Sequence, residues 1–213
     1  VTANGRKTVF DYALVLIQGT LGEKGKLKGY FDFMGIPYST CDMVSTVITF
    51  DKITCKRTVA AAGIPVAKDV FLTKEDKADE KAIVERLGLP MFVKPNASGS
   101  SCGVTKVYTA DQFSGAVDAA YKESDSVLIE EFVEGTEIGC GVLITRDKQY
   151  VFPLTEIVSK KDFFDYQAKY EGGFSDEITP ARIDEGVARQ IRELALRAYR
   201  ACRCRGVVRV DFI

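Results

Sequence analysis

The sequence has 213 residues, and its 29 Lys+Arg against 30 Asp+Glu leave a formal charge of −1, so no global field favours nucleic acid or an acidic membrane. It has no histidine, which excludes Ser-His-Asp and Cys-His catalysis and leaves only oxygen ligands for a metal, a preference that points to magnesium. No apolar run approaches the roughly 18 residues of a membrane span, no leader pattern opens the chain and the six cysteines lack zinc spacing, so the expectation is a cytoplasmic protein with free thiols, long enough for an enzyme of two lobes.

In chain order, "KTVFDYALVLIQG" is a buried-strand pattern, and "TLGEKGKLKGYFDFMGIPY" is a glycine-punctuated loop leading into a short amphipathic stretch. Asp51 caps a predicted helix with Val59 and Ala60 on one side, and Gly63 with Pro65 stops it. "VAKDVFL" is a strand; residues 74–87 place Ala78, Ala82, Ile83 and Leu87 at helical spacing, and Gly88 ends them before the strand "PMFVK". A glycine-serine loop follows, then the strand "GVTKVYT", a helix over 110–122 and the strand "SVLIEEFV".

After Gly135, "EIGCGVLIT" and "QYVFPLTEIV" form an expected antiparallel pair across the turn-prone "RDKQ". "SKKDFFDYQAKYEGGFSDEITPARI" has little periodicity and many polar and aromatic residues, the pattern of a functional loop. A helix over 184–201 turns Val187, Ile191, Leu194, Ala195 and Ala198 inward, and "GVVRVDFI" closes as a buried strand. There is no internal repeat. The order predicts a mixed α+β fold in two lobes with the polar chemistry in the loops between them.

The strongest local signal is Lys94 followed by the small residues 98–103, whose backbone N–H groups can surround an anion. It does not match the Walker pattern, because the lysine precedes the loop, and an ordinary glycine-rich hairpin explains the segment equally well. In "LIEEFVEGTE", backbone groups can read an adenine and one of Glu130, Glu131, Glu134 and Glu137 can bind ribose hydroxyls; a solvated acidic turn is the plainer alternative. Lys169 and Tyr170 can close over phosphates or merely anchor their loop. Arg209 and Asp211 alternate with Val208, Val210 and Phe212, so both face one side of the last strand, where they suit an oxyanion and a magnesium ion or simply pair with each other.

Taken together, "GKLKGYFDFMGIPYS", "DKITCKRTVAAAGIPVA", "FVKPNASGSSCGVTKV", "LIEEFVEGTEI", "FFDYQAKY", "EITPARI" and "CRGVVRVDF" resemble the ATP-grasp D-alanine–D-alanine ligases along nearly the whole chain. The resemblance implies an ATP-grasp fold of two α+β lobes clamping ATP. Residues 41–129 would be the central lobe, 130–213 the C-terminal lobe and 1–40 the remainder of a small N-terminal α/β substrate domain. It also implies ADP-forming ligation of two D-alanines through an acyl phosphate for peptidoglycan synthesis, with ATP and magnesium, or manganese in its place. The implied partners are ATP, D-alanine and a second copy in a homodimer, with no nucleic acid and no membrane.

Carried over by motif, Lys52 and Lys94 contact ATP phosphates with Ser101 beside them, and Glu130, Glu131, Phe132 and Val133 form the adenine-side strand. Glu137 takes the ribose, Lys169 reaches the phosphates from its loop, and Ser100 and Tyr170 link the two mobile segments over the substrate. Arg209 stabilises the tetrahedral intermediate, Asp211 is a magnesium ligand, and Cys102 is a small lid residue.

Some positions depart from the family. Gln18 stands where histidine is common, Lys24 and Lys28 where aspartate and glutamine are usual, and Phe164 where many relatives have tyrosine. These border the substrate site, so a ligase with another acceptor and a catalytically silent nucleotide-binding or scaffolding remnant are the alternatives. The family begins upstream of Val1 and continues past Ile213 into a further glutamate and asparagine that bind magnesium, so the resemblance implies the middle of a longer enzyme.

Overall fold

The computed structural model describes residues 2–3, 5–7, 9–17, 20–159 and 175–213. A small antiparallel ribbon, β1 (Thr2–Ala3) and β2 (Arg6–Lys7), precedes two short helices, α1 (Thr20–Glu23) and α2 (Lys26–Phe33). Then come α3 (Met43–Phe50), α4 (Lys52–Ala61), β3 (Asp69–Thr73), α5 (Glu80–Leu87), β4 (Met91–Pro95), β5 (Thr105–Val107), α6 (Phe113–Glu123) and β6 (Ser126–Glu131). The remainder is β7 (Glu137–Ile144), β8 (Gln149–Val151), β9 (Thr155–Ser159), β10 (Ser175–Ile178), α7 (Glu185–Ala201) and β11 (Val207–Phe212).

Aspartates set the starts of the helices. Asp42, Asp51, Asp79 and Asp184 precede α3, α4, α5 and α7, and each side chain accepts from first-turn N–H groups that have no partner inside the helix. Residues 74–87 therefore hold a shorter helix than their periodicity suggests. The Thr73 N–H and hydroxyl both donate to Asp76 Oδ2 at 2.7 Å, closing a turn, and the cap at Asp79 leaves Ala78 outside α5 with Ile83 and Leu87 as its buried positions.

Two antiparallel sheets carry the architecture. The first has the order β3-β6-β4-β5. Met91, Val93, Val107, Val127 and Ile129 point to one face and are fully buried under α5 and α6, against Ile83, Leu87, Phe113 and Ala120. Because side chains alternate along a strand, the other face receives Asp69, Glu130, Phe92 and Lys106, which the register places side by side in one row.

The second sheet has the order β10-β9-β7-β11, with β8 also on β7. Ile138, Cys140 and Val142 are buried beneath α7 against Ala188, Ile191, Ala195 and Tyr199. The opposite face of β7 carries Glu137, Gly139 and Gly141, opposite Arg209 and Asp211 of β11.

Four further expectations need correction. Residues 9–17 are not a buried strand: Ala13 makes one parallel bridge to Tyr38, Val15 alone is buried, and Leu14 and Leu16 are exposed because no strand among the described residues pairs with them further. "QYVFPLTEIV" is two strands, both pairing with β7, broken at 152–154 where Pro153 has no N–H to give a ladder. Val187, in the first turn of α7, faces solvent, and Ala188 takes the inward position. The last strand is half-buried at alternate positions rather than buried throughout, since β11 pairs with β7 alone among the described strands.

Gly206 enters β11 at φ +68°, and a Cβ there would lie 2.3 Å from the Ser39 carbonyl oxygen. Both the backbone conformation and the contact require glycine. Gly206→Ala is expected to cost about 2 kcal/mol or more and to lower Tm by about 4–8 °C in thermal denaturation. An unchanged Tm would contradict this packing of 39–41 on the start of β11.

Candidate functional site

The polar face of the first sheet is organised by α4, which Asn96 docks onto the end of β4. Asn96 is buried; its Oδ1 accepts from the Ile53 N–H at 2.9 Å, its Nδ2 donates to Asp51 Oδ2 at 2.5 Å, and its carbonyl accepts from the Lys52 N–H at 3.1 Å. The Lys52 ammonium then donates to the carbonyls of Pro95 at 2.8 Å and Ser98 at 2.6 Å. The start of α4 and the start of the loop are thereby one unit.

Along this face runs a chain of alternating charge. Lys94 Nζ lies 2.5 Å from Glu130 Oε2, Lys56 Nζ lies 2.6 Å from Glu130 Oε1 and 3.1 Å from Asp69 Oδ1, and Arg57 grips Asp69 at 2.6 and 3.1 Å. Burial pushes the Glu130 carboxyl up, but Lys94 and Lys56 outweigh it and hold it below the usual carboxylate range. Three cations against two carboxylates leave one excess positive charge, and Lys94, over the Phe92 ring, is the member next to the loop. Such a site attracts an anion.

The adenine-side expectation extends the strand to Val133, whereas β6 stops at Glu131. Glu131 points away from the charged row: its carboxylate accepts from the Lys68 N–H at 2.7 Å and pairs with the Lys68 ammonium. Phe132 and Val133 follow as a partly exposed apolar strip, with Phe132 against Phe92 at 6.2 Å between ring centroids and beneath Lys106. A cationic row beside an apolar strip can seat a flat ring with an anionic tail.

The loop after β4 is held by its own turns. The Cys102 N–H donates to the Gly99 carbonyl, the Val104 N–H to that of Ser101, and the Ser98 hydroxyl to that of Cys102. Ser100 and Ser101 both have positive φ, at 53° and 57°, a sparsely populated conformation that concentrates at ligand-gripping sites. Burial and then Glu123 push the Cys102 thiol up, which suits a lid residue and not a nucleophile.

On the second sheet, Arg209 Nε and Nη2 lie 2.8 and 3.2 Å from the two carboxylate oxygens of Asp211. The two residues share a face, as their alternation indicates, and also pair with each other. That ion pair raises the Arg209 guanidinium further, against burial, with Glu177 and Glu137 adding to it. Gly139 forms the floor beneath them, since a Cβ there would meet Arg209 Cδ at 3.4 Å and Asp211 Oδ1 at 3.6 Å. Among the described residues no three His, Cys, Asp or Glu side chains converge on a metal position. A single well-placed carboxylate still fits magnesium, which takes one or two carboxylates and completes its shell with phosphates and water.

Gln18, Phe164, Lys169 and Tyr170 lie outside the described residues. Lys28 is buried, donates to the Gly22 carbonyl, and burial pulls its ammonium below the usual lysine value. Lys24 sits over the Phe50 ring. Sequence reasoning missed Lys56, Arg57, Asp69 and Asn96. A usable signal existed for Lys56, four residues after Lys52 and hence on the same side of α4, and for Asp69, a carboxylate opening an apolar strand.

Two antiparallel sheets, one backed by α5 and α6 and the other by α7, each carrying charge on its opposite face, define an ATP-grasp protein. The D-ala D-ala ligase C-terminus family matches residues 58–213, and the chain belongs to that family. It is 48% identical over 210 residues to the D-alanine–D-alanine ligase of Phocaeicola vulgatus, an alignment covering 99% of this chain and 64% of that protein. The VanG D-Ala:D-Ser ligase from Enterococcus faecalis superposes with a TM-score of 0.82 at 35% identity, over 97% of this chain and 60% of that one. The D-alanine–D-alanine ligase from Bacillus anthracis complexed with ATP gives 0.77 at 31% identity, over 94% and 63%. The chain thus spans about 64% of the length of the curated relative from Phocaeicola vulgatus.

Proposed function

We propose that the chain carries the nucleotide and phosphoryl-transfer machinery of an ADP-forming D-alanine–D-alanine ligase, with residues 41–129 and 130–213 as the two lobes and 1–40 belonging to a substrate domain. The observation that carries this is the cationic row ending at Lys94, set between an apolar strip and a loop of small residues with positive φ. Phosphoryl transfer asks a protein mostly for positioning and charge neutralisation, which this inventory without histidine supplies.

In this reading the adenine lies along the Phe132–Val133 strip with backbone contacts from Glu130 and Glu131, Glu137 takes the ribose, and Lys52, Lys94 and Ser101 hold the phosphates. Lys56 keeps Glu130 paired when Lys94 turns to a phosphate, so no buried carboxylate is left alone. Lys169 completes the phosphate site, and Ser100 and Tyr170 close over the substrate. The first D-alanine carboxylate attacks the γ-phosphorus, giving an acyl phosphate and ADP; the amine of the second then attacks the carbonyl carbon and phosphate leaves. Arg209 stabilises the oxyanion of that tetrahedral intermediate. Asp211 would hold magnesium, or manganese, which neutralises charge on the phosphates when bound. Cytoplasmic location and a homodimer go with this reading.

A second acceptor is the competitor to test, because the chain also superposes on a D-Ala:D-Ser ligase at 35% identity, against 48% identity to a D-alanine–D-alanine ligase. The test is ADP release by the full product of the gene with ATP, magnesium and D-alanine, with D-serine and D-lactate offered as second substrates. D-alanine alone should drive ADP release with formation of the dipeptide. Faster turnover with a mixed pair would reassign the acceptor, and nucleotide binding without turnover for any pair would favour a silent remnant.

A further inference from the structure

Away from both polar faces, four of the six cysteines gather where α4, the end of α7 and the approach to α3 meet. Cys41 and Cys204 hydrogen-bond to each other, as do Cys55 and Cys202. The backbone holds the first pair in place. The Arg205 N–H donates to Cys41 Sγ at 3.3 Å, and the Cys41 S–H donates to the Arg205 carbonyl at 3.2 Å. The Ser45 hydroxyl donates to the Arg203 carbonyl at 2.8 Å, and Arg205 reaches Asp42 at 3.7 Å. Residues 39–45 and 203–206 are therefore docked with their thiols in contact.

The environments of the six thiols differ. The neighbouring Cys204 thiol lowers Cys41; burial opposes this, and the Arg205 N–H and Lys28 reinforce it, so that Cys41 falls to about 6. Its thiolate is therefore more accessible than that of an ordinary cysteine, and the thiolate is the reactive form. Cys204 is raised by the same hydrogen bond and by burial. Cys140 is fully buried and pushed up to about 11 by burial. Cys102 is raised as well. Cys55 is lowered by its own partner, but that partner, Cys202, is buried, while Cys41 and Cys204 both reach the surface.

We propose that Cys41 and Cys204 form an oxidant-sensitive thiol pair whose disulfide ties residues 39–45 to the start of β11. The oxidant is a hydroperoxide. The Cys41 thiolate attacks one peroxide oxygen, the O–O bond breaks, hydroxide leaves and Cys41 becomes a sulfenic acid. Cys204 gives up its proton and attacks that sulfur; the S–O bond breaks, water leaves and the disulfide remains. Each event consumes one hydrogen peroxide and two thiols and yields one disulfide and two waters; a dithiol reverses it. β11 carries Arg209 and Asp211, so the bond constrains the strand that bears them. The pair stands on its own geometry and does not depend on the ligase reading.

The test is peptide mapping of the reduced, folded protein after stepwise addition of hydrogen peroxide, with free thiols blocked by N-ethylmaleimide. A Cys41–Cys204 linked peptide should appear first, lighter by two hydrogens and restored by dithiothreitol. In Cys204→Ser, Cys41 should accumulate as a sulfenic acid that dimedone traps. Cys41 and Cys204 still fully alkylated while Cys102 or the Cys55–Cys202 pair is already oxidised would overturn the proposal, and that readout needs only the unsubstituted protein.

Discussion

Arg209→Ala should lower kcat by about 10²–10³-fold, the loss typical of one oxyanion donor, while the KM for ATP changes little. Arg209 lies on the second sheet, away from the Lys94 row, and Asp211 fixes its guanidinium through both oxygens. Arg209→Lys keeps the charge but loses the fork that grips both oxygens, so it should recover only a small part of the activity. Folding should be nearly untouched, since both side chains are largely exposed and such ion pairs are worth about 0–1 kcal/mol. A variant with unchanged Tm, normal kcat and a raised KM for ATP would place Arg209 in nucleotide binding and remove it from the acyl-transfer step.

Glu130→Gln should have the largest effect on stability. Glu130 joins Lys94 to Lys56, and Lys56 is only 7% exposed along its side chain. Removing one partner from a buried ionic network costs about 3–5 kcal/mol, and Asp69 at 3.1 Å from Lys56 keeps the expected loss near the lower end, a Tm fall of about 6–12 °C. The carboxyl is held below its ordinary value in the folded chain. Its contribution is therefore fully present above the unfolded glutamate pKa of about 4.3 and is lost as pH falls through the lowered folded value. Urea denaturation of both proteins across that range should show their difference narrowing on the acid side. A constant difference would mean that Glu130 stabilises through shape and not through charge.

Local chemistry was the legible part of the chain. Asp51 and Asp184 announce helix starts because an N-cap acts within three residues. Lys94 before a run of small residues, and Arg209 two positions from Asp211, are visible because a strand has a period of two. What stayed hidden depends on distant partners. Lys56 meets Glu130 across 74 residues, and Asn96 finds the start of α4 across more than 40. Leu14 and Leu16 satisfy a strand pattern, yet alternation cannot say whether another strand lies alongside. Val187 has the right spacing but falls in the first turn of α7, before the helix reaches the sheet. The contact of Cys41 with Cys204 is likewise a product of docking that no local motif marks.

The most direct test of the proposed chemistry follows an oxygen atom. D-alanine labelled with ¹⁸O in its carboxylate should be turned over with unlabelled ATP and magnesium, and the released phosphate examined by mass spectrometry. Attack of the carboxylate on the γ-phosphorus followed by cleavage at the carbonyl carbon transfers one labelled oxygen, so the phosphate should carry a single ¹⁸O in step with dipeptide formation. Unlabelled phosphate accompanying the dipeptide would contradict an acyl phosphate route.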